Sequence, residues 1–149
     1  MAHGAPELIA INHDDYNAEH VGTTIDGRQF FLTTPFEPAI GANPGGEYIS
    51  LYVFDPAGQL VESKIENLGP RATMSHEKRE ALRDQWLQEL GAITLGRIEV
   101  RPFVIEKFGS TFGLVPREPE EPGDPWAVEA QPGNYMAFFE PWDSGEYDT

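Results

Sequence analysis

Apolar positions along this chain fall into short alternating or continuous runs far more often than into helical stripes, which predicts a protein built mainly of strands. The richest run is Tyr48, Ile49, Leu51, Tyr52, Val53 and Phe54, all aromatic or branched apolar side chains of the kind that pack on a pleated surface. It stops at Asp55-Pro56-Ala57-Gly58, and an alternating return strand continues to Glu66. Pro56 suits the first central position of a type I turn, and Gly58 can take the left-handed conformation that closes such a turn with a bulge. The stretch from Glu47 to Glu66 therefore reads as a β-hairpin, and the rest of the chain is arranged around it.

Upstream, Leu8-Ile9-Ala10-Ile11 reads as a short strand and the polar stretch from Asn12 to His20 as a turn. Between Thr23 and Thr34, two short strands fit on either side of Asp26-Gly27, a dipeptide that favours hairpin turns. Residues 35–46, PFEPAIGANPGG, are rich in proline and glycine and read as a loop.

Downstream, Leu82, Trp86 and Leu90 recur at four-residue spacing with Leu87 beside them, which predicts an amphipathic helix over about residues 75–90. Ser75 is placed to cap its start and Gly91 to end it. From Ile93 to Phe112 a strand-like period returns, interrupted by Pro102, which argues for an edge, a bulge or a break. Residues 117–125, REPEEPGDP, offer nothing to anchor in a core and read as a solvated loop. The segment from Trp126 to Phe139 then reads as two strands about Gln131-Pro132-Gly133-Asn134. Its aromatic side chains imply a hairpin folded onto the domain.

These elements predict one α+β domain over residues 1–149, with residues 1–6 and 144–149 loose. The expected architecture is an antiparallel sheet of about six to eight short strands with one amphipathic helix packed on one face.

Charge changes the functional picture more than the fold. Ten basic residues face 25 acidic ones, for a formal net charge of −15. Residues 118–149 carry nine acids and no Lys or Arg, so the excess is concentrated at the C-terminal end. Direct nucleic-acid binding is disfavoured, because that affinity comes from Lys and Arg displacing counterions. Cysteine is absent, which removes disulfides, thiolate metal sites and thiol nucleophiles. No run approaches the roughly 18 apolar residues of a membrane span, and the N-terminal text has no leader-like pattern. A cytoplasmic protein without a cofactor is the expectation.

Three constellations carry candidate chemistry. His13, Asp14, Asp15 and His20, with Glu19, are metal-ligand types in one loop, although two histidines seven apart do not share a helical face and the calcium-loop pattern fails at His20. The ordinary reading of this stretch is a solvated polar loop. His76 stands four residues from Glu80, a spacing that would raise its basicity and make a general base, but carboxylates at a helix start also simply complement the dipole. No nucleophile motif accompanies it, and no catalytic residue is assigned. Lys78, Arg79 and Arg83 are expected to form exposed ion pairs with Glu77, Glu80 and Asp84.

The third constellation is Trp126, Tyr135, Glu140, Trp142, Asp143 and Glu146, in which interface-type aromatics coincide with a carboxylate rim that would steer a basic partner. The competing reading places the aromatics in the core and leaves the acids as a solubilising surface. From these features the leading expectation is a non-enzymatic acidic binding protein that occupies a basic surface on a partner protein, as an inhibitor or immunity-type protein does. Alternatives are a small metal-dependent or acid/base hydrolase using the loop from His13 to His20, and a structural subunit of a larger assembly. Self-association by edge-to-edge pairing of the aromatic hairpin is a further expectation.

Overall fold

The structure, a computed structural model, describes residues 5–14, 18–142 and 145–147, the last three as backbone only. Its elements in chain order are β1 (Ile9–Ile11), β2 (His20–Thr24), β3 (Gln29–Thr33), β4 (Phe36–Glu37), β5 (Gly46–Phe54), β6 (Leu60–Gly69), α1 (His76–Glu89), β7 (Ile93–Leu95), β8 (Ile98–Val100), β9 (Phe103–Lys107), β10 (Ser110–Arg117), β11 (Ala127–Gln131), β12 (Met136–Phe139) and β13 (Gly145–Tyr147). The strands form three antiparallel sheets. In the first, the order is β7, β2, β3, β5, β6, with β4 continuing along the β3 side of β5. The second runs β13, β12, β11, β10, β9, and β1 pairs β8 in a two-stranded ribbon.

All nine residues of β5 are buried, because both faces of the first sheet are covered. Tyr48, Tyr52 and Phe54 belong to the core shared with the second sheet, whereas Ile49, Leu51 and Val53 pack beneath α1. This double burial is why the sequence there is a near-continuous apolar run instead of a clean alternation. The rings interlock across the sandwich: Phe103 meets Tyr52 at 4.7 Å and Phe54 at 5.6 Å, and Phe112 meets Tyr48 at 4.9 Å, all edge-on.

The β5–β6 turn forms as its residues dictate. The Gly58 N–H donates to the Asp55 carbonyl at 2.9 Å, and Gly58 has φ +91°. A Cβ at that position would stand 2.8 Å from the Glu99 carbonyl oxygen, so glycine is required both by its backbone and by its close neighbour. The Gly58 carbonyl in turn accepts the Arg101 N–H at 2.8 Å, docking the hairpin tip beside β8. Buried Gln29 completes the junction, donating to the carbonyls of Asp55 and Glu99 and accepting the Glu99 N–H. The β1–β8 ribbon thus ties to the first sheet through Gln29 and to the second through the Ala10 N–H and Trp142 carbonyl, 2.8 Å apart.

Helix α1 begins where expected. The Ser75 hydroxyl accepts the Lys78 N–H at 3.1 Å, and Gly91 at φ +82° ends the helix with its N–H on the Gln88 carbonyl. Leu82, Trp86, Leu87 and Leu90 lie on Phe30, Leu32, Ile49, Leu51 and Val53 of the sheet.

The mainly antiparallel architecture with one helix agrees with the sequence reading, but the strand count and layering do not. Among the described residues, thirteen strands in three sheets stand in place of about six to eight in one. One reason is Pro102: lacking an N–H, it breaks the apolar run, and the chain leaves the ribbon at β8 to enter the second sheet at β9. Another lies in residues 35–46, where Phe36–Glu37 pairs with Gly46 and Glu47 inside what composition marks as a loop. The aromatic hairpin β11–β12 is interior to its sheet, flanked by β10 and β13, so edge-to-edge pairing would fall to other strands. Of the termini expected to be loose, residues 1–4, 144, 148 and 149 lie outside the described residues, and Gly145–Tyr147 pairs with β12. Among the described residues, no helix is long and apolar enough to cross a membrane.

Candidate functional site

The loop that carries the metal-type residues is organised by Asp14, whose carboxylate accepts the Ala18 N–H at 3.2 Å while its own N–H donates to the Ala18 carbonyl. His13 is exposed, Asp15 lies outside the described residues, and His20 stands on β2 with its Nε2 3.9 Å from Glu19. Among the described residues, no three His, Asp or Glu side chains gather closely enough to hold a metal ion.

The C-terminal aromatics are divided between core and surface. The Tyr135 hydroxyl accepts a hydrogen bond from Thr33 Oγ1 at 3.0 Å, and Tyr135 and Trp142 both pack against the core between the sheets. Burial pushes the Tyr135 phenol well above its ordinary value. Trp126 is half-buried and Glu140 is exposed. Asp143 and the Glu146 side chain lie outside the described residues. The loop between β10 and β11 instead presents Glu118, Glu120, Glu121 and Asp124, all exposed. The base beside them, Arg117, pairs with Glu129 at 2.9 Å and Glu120 at 3.4 Å.

A second feature follows from the phase of the helix. The stripe of α1 that faces the sheet is apolar at Leu82, Trp86 and Leu90, but Arg79 and Arg83 continue it toward the N-terminus. Apolar contact gives way there to a cleft of about 160 Å³ between α1 and the sheet. Leu32 and Ile49 line its floor, Arg79, Arg83 and His20 stand half-buried within it, and the exposed Glu19 and Glu80 reach its mouth. Of the three exposed ion pairs expected on the helix, the one between Arg83 and Asp84 forms and the other two do not. Arg83 pairs with Asp84 at 3.0 Å and Lys78 with Glu66 of β6 at 3.9 Å, while Arg79 has no carboxylate in salt-bridge range among the described residues and touches His76 Nδ1 at 3.3 Å. Composition alone hides this cleft. The signal that finds it is the position of Arg79 and Arg83 three and four residues before Leu82, Trp86 and Leu87.

His20 is held below the ordinary histidine value, chiefly by burial and secondarily by the balance of Glu19, Arg83, Asp84 and His13. A base whose folded value is depressed binds its proton more readily in the unfolded chain. Its contribution to stability is therefore complete above the unfolded value of 6.5 and is lost as pH falls through the lower folded value. Urea titrations across this range are expected to show a steeper acid-side loss for the parent than for His20→Gln. Parallel curves for the two proteins would contradict the assignment.

Comparison of the chain with known protein families, curated proteins and solved structures returns no match in any of the three.

Proposed function

We propose that this chain is a non-enzymatic acidic binding protein that docks on a basic surface of a partner protein, through the acid-rich region of its second sheet and the loop between β10 and β11. The observation that carries the reading is the distribution of charge partners. Eight of the ten Lys and Arg side chains already have a carboxylate of this chain in salt-bridge range, the exceptions among the described residues being Arg79 and Lys107. With 25 acids, the chain retains a large anionic excess that its own bases do not offset. Exposed Glu118, Glu121 and Asp124 show that excess to solvent beside a single base, Arg117, which is already engaged. A potential of that sign accelerates encounter with a basic surface and selects against acidic ones.

The test is affinity capture from the native host at low and moderate salt. It compares the parent with a variant carrying Glu118→Gln, Glu120→Gln, Glu121→Gln and Asp124→Asn, and with a control of equal charge change at Glu7, Glu62, Glu77 and Glu80, all away from the second sheet. Stoichiometric recovery of one basic protein, weakened by salt and lost only in the loop variant, supports docking there. Equal recovery by all three proteins, or no specific recovery by the parent, removes the reading.

A further inference from the structure

We propose that the cleft beneath the first turns of α1 is a binding site for a compact oxyanion, a phosphate group or a short carboxylate, held by the Arg79 and Arg83 guanidiniums with His20 beside them. This site is independent of the acidic docking region, which belongs to the other sheet.

Arg79 is the starting point. In a chain with far more acids than bases, a half-buried arginine that meets no carboxylate among the described residues is unusual, and the helix phase points it toward the sheet instead of toward solvent. Among the described residues its one polar contact is the 3.3 Å approach to His76 Nδ1, which leaves most of its five N–H donors uncommitted there. Arg83, one turn further along the same stripe, donates from Nε to Asp84 at 3.0 Å. That bond holds the guanidinium plane and leaves the terminal nitrogens for a ligand. Two planar forks on one helix face match the geometry of phosphate and carboxylate oxygens, which accept paired N–H donors.

The cleft also selects by size and by charge. A volume of about 160 Å³ has room for roughly five water molecules, well below the space that drug-sized ligands occupy. Leu32 and Ile49 give it an apolar floor, which strengthens the attraction of a bound anion for the arginines by excluding water on that side. Glu19 and Glu80 at the mouth oppose entry of an extended polyanion, whereas a compact one reaches the arginines behind them. His20, kept neutral by burial, offers a ring N–H donor without adding a third charge.

The test is a heteronuclear NMR titration of the full chain with inorganic phosphate and, separately, with malonate, at constant ionic strength set by chloride. At least one probe is expected to give saturable shifts at the Arg79 and Arg83 Nε–H signals and at His20, with a midpoint in the millimolar range or tighter. The stronger probe identifies the ligand class. Arg79→Gln is expected to weaken that binding by about tenfold or more, and Arg79→Lys by less, because it keeps charge but loses the fork. Arg97→Gln, at an exposed site paired with Glu99, is expected to leave it unchanged. Arg83→Gln provides the same comparison if the first variant fails to fold, as its amide spectrum would reveal. Absence of saturation with both probes, or binding by Arg79→Gln equal to that of the parent, overturns the proposal.

Discussion

Replacing Trp86 with alanine is expected to destabilise the protein by about 3–5 kcal/mol, the range for deleting a large buried aromatic. Trp86 is the one buried residue of α1, and it shares a hydrophobic cluster with Phe30, Leu32, Ile49, Leu51 and Val53. A fourteen-residue helix of this composition is marginal in isolation, so its order rests on that contact. Its ion pairs to the sheet, Lys64 with Glu89 and Lys78 with Glu66, are exposed and contribute little. Once the helix loosens, five large apolar side chains of the first sheet face water as one patch, and aggregation should accompany the loss. Leu82→Ala and Leu90→Ala, at half-buried positions, are expected to cost distinctly less. Equilibrium urea denaturation measures all three. A cost below about 1 kcal/mol for Trp86→Ala would mean that the helix is held by something other than its apolar face.

The elements whose residues settle their own conformation were legible in the sequence. Asp55-Pro56-Ala57-Gly58 forms its turn from local backbone preference, Asp26-Gly27 does so between β2 and β3, and Ser75 and Gly91 bound the helix by capping. What local text does not encode is which sheet a strand joins. The run after Ile93 looks like one interrupted strand, yet β7, β8 and β9 enter three different sheets: β7 and β8 join β2 and β1 from far back in the chain, while β9 turns into its neighbour β10. The same limit applied to the candidate sites. Tyr135 reads as an interface residue by type, but its hydroxyl is bonded to Thr33, 102 positions earlier in the chain. Arg79 reads as one member of a solvated charge run. Only its phase relative to Trp86, together with the polar strand ends at His20 and Thr34 opposite it, turns it into the wall of a cleft. A residue's type announces which chemistry it can perform, and long-range pairing decides whether anything stands close enough to perform it on.

Two phenols of the sandwich core are expected to answer mutation in opposite ways. Tyr52 and Ser50 lie on the face of β5 turned toward the second sheet, and among the described residues neither the Tyr52 hydroxyl nor Ser50 Oγ makes a hydrogen bond of good geometry, the two hydroxyls being near each other without one. Burial drives the Tyr52 phenol far above its ordinary value, and the nearby Ser50 hydroxyl opposes that rise only in part. Removing the Tyr52 oxygen leaves no donor or acceptor of the protein newly unpaired, so Tyr52→Phe should fall within about 0.5 kcal/mol of the parent or be more stable. The ring itself packs against Phe31 at 6.4 Å and Phe103 at 4.7 Å, so Tyr52→Ala should cost about 3–5 kcal/mol. Tyr135 has the reverse arrangement. Its hydroxyl accepts the Thr33 hydrogen bond, and Tyr135→Phe strands the hydroxyl of Thr33, a residue only 5 % exposed, at a cost of about 1–3 kcal/mol. Restoring balance with Thr33→Val in the same chain should recover much of that loss, because both partners then become apolar. If Tyr52→Phe proved as costly as Tyr135→Phe, the Tyr52 hydroxyl would have to be a bonded member of the core. If Tyr135→Phe cost nothing, the hydrogen bond between Thr33 and Tyr135 would contribute nothing to holding the two sheets together.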